Sequence, residues 1–350
     1  MRVGIIGGSG YTGGELLRIL ALHPSVNITA VVSRRYAGEY VFRAQPNLRK
    51  QTRMKFLPLD TEYLRENCDI VFTATPHGST VDIVSKLLEA EVTVIDMSAD
   101  FRLKNPADYN RWYGWTHQRI ELLDEAVYGL PELHREEIKN ARLIACPGCN
   151  ATVIILGLAP LIKEGMIEEN RIIVDGKVGS SGAGITPSLA THHPERFGGV
   201  RAYSVLGHRH IAEVEQELNF VSKTPVTVAF TPHAVNMVRG ILATIHTFPK
   251  EKLDIRDIWR VYRSFFKNEP FIRLIREAKG LYRLPNPNIV IGSNFCDIGF
   301  ELDNHINRLI VFSAIDNLVK GAAGQGVQCL NIILGIDEKT GLEAQGFHPM

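Results

Sequence analysis

Apolar and polar positions along the first third of the chain alternate between two periods. Residues 2–6 (Arg-Val-Gly-Ile-Ile) form a short apolar run that ends in glycine, and residues 27–32 form a second. Between them, residues 15–22 place Leu16, Leu17, Ile19 and Leu20 on one side of a helix, with Pro24 beyond its end. Residues 69–74 read as a third strand, broken by Pro76-His77-Gly78. Residues 79–90 read as a helix that carries Val81, Ile83, Val84, Leu87 and Leu88 on one side, and strands follow at 92–95 and 142–145. Strands alternating with helices imply parallel βαβ units, hence a Rossmann-type, doubly wound α/β sheet. From residue 171 the pattern changes. Strand-like stretches recur at 171–175, 225–230, 239–247, 288–295 and 307–314, with helical segments near 211–220 and 255–266. That predicts an α+β domain around a mostly antiparallel sheet. Residues 317–334 return to a helical period, and the change in pattern sets a domain boundary near Gly148.

Composition narrows the class. A chain of 350 residues is long for one core, so two domains are expected. Hydrophobic residues make up 45%, charged residues 22%, and the formal net charge is +1. No overall field calls for nucleic acid or an anionic membrane. The longest apolar run, 151–162, is too short to span a bilayer and reads as a buried core helix. Residues 2–6 lead straight into a glycine loop, so no signal peptide is expected. Cys68, Cys146, Cys149, Cys296 and Cys329 are an odd, sparse set rather than a disulfide framework, and a cytoplasmic protein is expected.

Three stretches carry candidate chemistry. Gly7-Gly8-Ser9-Gly10-Tyr11-Thr12-Gly13 follows a strand and opens a helix, with glycines spaced G-x-x-G-x-x-G, close to the dinucleotide fingerprint. Glycines admit a pyrophosphate against the backbone, and the helix start supplies N–H groups for its charge. At the end of the second strand stands Ser33-Arg34-Arg35, where an NAD site would hold an acidic residue; arginines suit a 2′-phosphate, so NADP is expected. Cys146-Pro147-Gly148-Cys149-Asn150 precedes the apolar helix. Cys149 at a helix start suits a thiolate nucleophile with an oxyanion held by nearby N–H groups. A redox pair, a zinc site or plain buried cysteines compete with that, although no second C-x-x-C pair exists. His208-Arg209-His210, if extended, turns both imidazoles one way, and Glu213 lies three residues on. Spacing alone leaves open an acid–base pair, a metal pair or two ordinary loop histidines.

These motifs meet in one family. The chain resembles the N-acetyl-γ-glutamyl-phosphate reductases and their close relatives in the aspartate-semialdehyde dehydrogenase group. The matching pieces are GGSGYTGGELLRIL at 7–20, DMSADFRL at 96–103, YGLPEL at 128–133, PGCNAT at 147–152, SSGAG at 180–184, GHRHIAEVEQEL at 207–218 and DNLVKGAAGQGVQ at 316–328. The resemblance implies reduction of an acyl phosphate to an aldehyde with NADPH and no metal. It implies Cys149 as nucleophile and His210 as catalytic histidine, with His208 beside it and Glu213 supporting it. Gly7, Ser9, Gly10, Tyr11, Thr12, Gly13, Ser33, Arg34, Arg35, Ser180, Gly182 and Asn317 match cofactor positions, and Ser98 and Arg102 the substrate phosphate. It further implies an NADP-binding domain at 1–148 plus 316–350, a catalytic, substrate and oligomerisation domain at 149–315, and a dimer or tetramer.

Departures point to one branch. The arginine-pathway form has Asn-Pro-Gly-Cys-Tyr where this chain has Cys146 to Asn150, and a proline where this chain has Ala212 before Glu213. Residues 191–198 resemble the variant in which an amino-group carrier protein blocks the substrate amine. That variant implies carrier-bound aminoadipyl phosphate for lysine, or carrier-bound glutamyl phosphate for arginine. Acetylglutamyl phosphate is the runner-up, and a non-catalytic NADP-binding regulator is the reading from another class. If the carrier is acidic, its docking surface is basic; Arg43, Arg49, Lys50, Arg53 and Lys55 form the densest basic stretch, which from sequence alone reads more readily as a solvated loop than as a docking site.

Overall fold

β1 (Arg2–Ile6) is buried beyond its first residue, as the middle strand of a doubly covered parallel sheet must be. It lies between β2 (Asn27–Val32) and β3 (Ile70–Thr73), and the sheet continues through β4 (Thr93–Asp96), β6 (Leu143–Ala145) and the short β5 (Val127–Tyr128). Every pairing is parallel. The order 2-1-3 reverses direction at β1, so a crevice opens beyond its carboxyl end, where the glycine loop lies. The computed structural model describes residues 1–349 and divides into two compact units. The first is Met1–Pro147 with Ala322–Glu343, and it includes the Gly324–Ile333 helix, packed on the Tyr11–Leu20 and Pro131–Ile138 helices. Gln325 ties that helix to the Gly129 carbonyl at 2.7 Å, and His23 meets Asn331 at 2.9 Å.

The second unit begins at Gly148. Its strands are β7 (Ile172–Val178), β8 (Arg201–Ala202), β9 (Val228–Ala234), β10 (Ile241–Thr247), β11 (Ile272–Leu274), β12 (Cys296–Asp303) and β13 (Arg308–Ile315). They form one sheet in the order 11-12-13-10-7-9-8. The sheet is mixed and mostly antiparallel; only β11–β12 and β7–β9 run parallel. β10 alternates buried and half-buried residues along its whole length, the two-residue period of a sheet covered on one face. The Cys149–Lys163 helix is buried at every position from Asn150 to Ile162 and is the core helix that the apolar run predicts. It packs on β10 and β13 and on the His210–Val221 and Ile255–Phe265 helices.

Two expectations are corrected. Residues 288–295 are not a strand: Pro287–Val290 is a helical turn, and β12 starts only at Cys296. Asn286 caps the turn by accepting from the Asn288 N–H, Pro287 stands at its first position, and Gly292 at φ +87° bends the chain out. The tail also departs from the expected domain at 316–350. Residues up to Gly321, and residues 344–349, belong to the second unit. There the Phe347 N–H donates to the Ile291 carbonyl at 2.8 Å and its ring lies on Gly292.

Candidate active site

In the second unit, Gly148 is the N-cap of the core helix and Cys149 its first residue. No side chain caps this helix start, so its first-turn N–H groups and the positive end of its dipole serve whatever stands at Cys149. Cys149 is half-exposed, whereas the other four cysteines are buried. It opens into a cavity of about 270 Å³ that Ser180, Gly182, Tyr203, His208 and His210 also line.

His210 is the first residue of the His210–Val221 helix rather than part of an extended run. The two histidines nonetheless meet, with ring centroids 4.7 Å apart and nearly perpendicular planes. A turn brings them together: the His208 Nδ1 accepts the His210 N–H at 3.1 Å, which occupies a donor of the uncapped helix start. Burial, and then the Arg209 charge, pushes His208 down to about 4. His208 is therefore neutral near pH 7, with its proton on Nε2.

Glu213, fully buried, ties the two helix starts together. Its Oε2 accepts the Gly148 N–H at 2.8 Å, and its Oε1 stands 3.9 Å from the His210 Nε2. The imidazole of His210 lies directly on Gly148: a Cβ there would come within 2.4 Å of Nε2. Gly321 is equally constrained, because its Cβ would fall 2.7 Å from that of Cys149. Asn317 is buried beneath Ser181, accepting from the Gly240 N–H at 2.7 Å and donating to the Ser181 hydroxyl at 2.9 Å. Asp316, which sequence reasoning did not single out, accepts from the Gly292 and Leu318 N–H groups and pairs with Arg239 at 3.1 Å.

Sequence reasoning also missed Tyr203 and Arg196. Tyr203 is pushed up to about 12, first by burial and then by the neighbouring Cys149. Arg196 donates to the Val178 and Val235 carbonyls, while its Nε is buried with no acceptor among the described residues. Arg196 lies within the 191–198 stretch that marks the branch, but its role was not read there; the fold brings both side chains to this cavity.

In the first unit, Gly7 holds φ +87° and a Cβ on it would strike the Ala74 carbonyl oxygen at 2.2 Å. A Cβ on Gly13 would come within 2.4 Å of the Gly7 oxygen. The loop therefore needs both glycines to turn tightly into the Tyr11–Leu20 helix, whose start at Gly10 also lacks a side-chain cap. Ser9 and Ser33 share a hydrogen bond of 2.8 Å, which joins the loop to the end of β2. Beyond Ser33, Arg34 and Arg35 are exposed, Arg35 lying over the Tyr36 ring at 5.5 Å.

Ser98 and Arg102 are buried in this unit and committed to its own bonds. The Ser98 hydroxyl donates to Asp96 at 2.7 Å and accepts the Asp100 N–H at 3.1 Å. Arg102 donates to the Cys146 carbonyl at 2.7 Å and to the Met97 carbonyl at 3.1 Å. Among the described residues no group of three or more His, Cys, Asp or Glu is placed to hold a metal ion. No helix among them is long and apolar enough to cross a membrane.

Comparison with known proteins agrees with this layout. Residues 2–141 match the semialdehyde dehydrogenase NAD binding domain, and residues 149–317 the semialdehyde dehydrogenase dimerisation domain. A [LysW]-L-2-aminoadipate/[LysW]-L-glutamate phosphate reductase of Saccharolobus solfataricus is 49% identical over 100% of this chain and 99% of its own. One of the same name from Sulfurisphaera tokodaii is 50% identical over the same shares. The chain belongs to this phosphate reductase family. Aspartate semialdehyde dehydrogenase of Candida albicans, solved with NADP, shares the fold at a TM-score of 0.71 and 15% identity, over 95% of this chain and 98% of that one. The glycine loop lies within the matched NAD binding domain, and Cys149 opens the matched dimerisation domain.

Proposed function

We propose that the chain reduces a carrier-bound aminoadipyl or glutamyl acyl phosphate to the semialdehyde, releasing phosphate, in the cytoplasm and as a homo-oligomer. The observation that carries the chemistry is the joint placement of Cys149, His210 and Glu213 around two facing helix starts. The names of the relatives motivate the carrier. When bound in the first unit, NADPH would supply the hydride; the glycine loop and the uncapped start of the Tyr11–Leu20 helix would hold its pyrophosphate, and Arg34 and Arg35 its 2′-phosphate.

The remaining steps belong to the chain. Cys149 sulfur attacks the acyl carbon, its proton passing to His210, and first-turn N–H groups hold the tetrahedral oxyanion. The C–O bond to phosphate breaks, His210 hands the proton to the departing phosphate, and Cys149 carries a thioester. Hydride addition to that thioester leaves a thiohemiacetal oxyanion, which expels the sulfur as the aldehyde forms, and His210 returns a solvent proton to Cys149. Glu213 keeps His210 in line with the nucleophile while fixing the Gly148 turn, and neutral His208 caps the helix that carries His210. Arg196 lines the same cavity and, beside its two bonds to main-chain carbonyls, keeps an Nε without an acceptor among the described residues; it is a better seat for the substrate's anion than Arg102, which does not line that cavity.

An assay of NADPH oxidation with carrier-bound aminoadipyl phosphate, carrier-bound glutamyl phosphate and free acetylglutamyl phosphate tests the proposal. Turnover of a carrier-bound substrate at well over the acetylated rate is expected. Equal or faster turnover of the acetylated compound replaces the carrier with acetyl, and no turnover of any of them leaves a cofactor-binding regulator.

A further inference from the structure

We propose that Gln45 clamps the dinucleotide loop in its anion-binding shape, as a positioning residue for the cofactor; this rests on reading the first unit as a nicotinamide-dinucleotide site. Gln45 lies outside the glycine motif and outside every stretch that carries the family resemblance. It stands between the Val41–Ala44 helix and the Pro46–Leu48 turn, half-buried. Its own backbone is pinned, the N–H donating to the Val41 carbonyl at 3.0 Å and the carbonyl accepting the Leu48 N–H at 3.0 Å. From this fixed base its Nε2 donates to two loop carbonyls, Gly8 at 3.2 Å and Gly10 at 3.0 Å.

Those carbonyls decide which pole of the loop faces an incoming pyrophosphate. The N–H groups of Gly7 and Gly8 are taken by the Val32 carbonyl, and that of Gly10 by Gly7. What remains for an anion is the uncapped start of the Tyr11–Leu20 helix. A carbonyl oxygen turned toward the same space would repel the anion. The Gly10 carbonyl also accepts the Gly14 N–H at 2.9 Å, so Gln45 adds a second hold on it and supplies the bond that keeps the Gly8 carbonyl to its own side.

The fit is reciprocal. A Cβ on Gly14 would lie 2.3 Å from the Gln45 Oε1, so the helix carries a second glycine, next to Gly13, where the amide rests. Glycine is a poor residue for a helix interior, and the motif spacing does not ask for one there. The Ser9–Ser33 bond joins the segment to the loop at its near end and Gln45 does so at its far end. The clamp thus serves the pyrophosphate, which NADPH and NADH share, whereas Arg34 and Arg35 address the 2′-phosphate that only NADPH has.

Calorimetric titration of NADPH and NADH into cofactor-free protein tests this. The variants are Gln45→Met, which keeps the shape without the donors, Gln45→Glu, and an Arg34→Ala/Arg35→Ala double variant. Loss of two neutral hydrogen bonds should raise Kd about tenfold for both cofactors in Gln45→Met, and further in Gln45→Glu. The NADPH KM should follow Kd while kcat at saturation holds, and amide exchange at residues 11–13 should quicken in the cofactor-free protein. The arginine variant should weaken NADPH much more than NADH. A Kd in Gln45→Met within about twofold of the parent, even with a lowered Tm, overturns the clamp, as does a loss confined to NADPH. Failure of the parent protein to bind either dinucleotide overturns the reading of the unit and the clamp with it; unaltered binding in the variants beside a normal parent rejects the clamp alone.

Discussion

Two cysteines three residues apart have different fates. Cys149 is half-exposed at an uncapped helix start, and Cys146 is fully buried at the end of its strand. Cys149→Ser is expected to reduce turnover below detection while calorimetry shows unchanged NADPH binding, because an alcohol does not ionise as a thiol does. Cys146→Ser should keep much of the activity, and complete loss in both would point to a dithiol mechanism. That Cys149 sits at a helix start was readable from Pro147-Gly148 before an apolar run; the His208–His210 geometry was not, because it depends on a turn that two residues of spacing do not specify. His208 makes a second prediction. Its ordinary value of 6.5 falls to about 4 in the fold, so the unfolded chain binds more protons between those values and stability drops as pH falls across them. The loss is at most about 3 kcal/mol. Asp96, raised from 3.8 to about 6 by burial and by Asp100, acts oppositely and loses stability as pH rises over its own window. Urea unfolding at pH 7.5 and pH 5 should therefore show a smaller fall for His208→Gln than for the parent, and parallel curves would count against a neutral His208.

At the scale of elements, the Gly148 turn and the His210–Val221 helix act as one piece through Glu213. Gly148→Ala puts a methyl group against the imidazole at 2.4 Å, so one of them must move. Overpacking of this kind costs about 1–3 kcal/mol of stability. The displaced His210 should cost about 100-fold in kcat, the lower end of a general acid–base contribution. A variant with normal kcat and a lowered Tm would show that His210 does not need this contact. Most elements were legible where one period ran uninterrupted, as in β1, β2 and the Cys149–Lys163 helix. Residues 288–295 were not: their apolar β-branched residues suggest a strand, but the Asn286 cap with Pro287 starts a helical turn first. β9 likewise runs on through Pro232 to Ala234, because only the two-residue edge strand β8 lies on that side.

For the whole molecule, charge is nearly balanced, so recognition of an acidic carrier requires a local surface. Arg43, Arg49, Lys50, Arg53 and Lys55 are all exposed, and Lys55 lies over the Tyr40 ring at 5.0 Å. If they guide the carrier, KM for the carrier-bound substrate rises with salt and with Arg49→Glu/Arg53→Glu, since exposed charges are screened over about 8 Å at physiological ionic strength. NADPH binding should stay unchanged; salt-independent KM with neutral arginines would remove this surface from consideration. The sequence by itself determined the class of the protein: a parallel nucleotide-binding sheet, a second, mostly antiparallel sheet and a cysteine at a helix start. Those are local matters of period, glycine spacing and turn residues, and neighbours along the chain suffice to specify them. Only tertiary structure decided which groups meet. Glu213 bridges to Gly148 across 65 positions, Gln45 reaches the glycine loop across 35 and more, and Asn317 finds Ser181 across 136. Hydrogen bonds between segments so far apart depend on how whole elements pack, and no spacing in the chain records that.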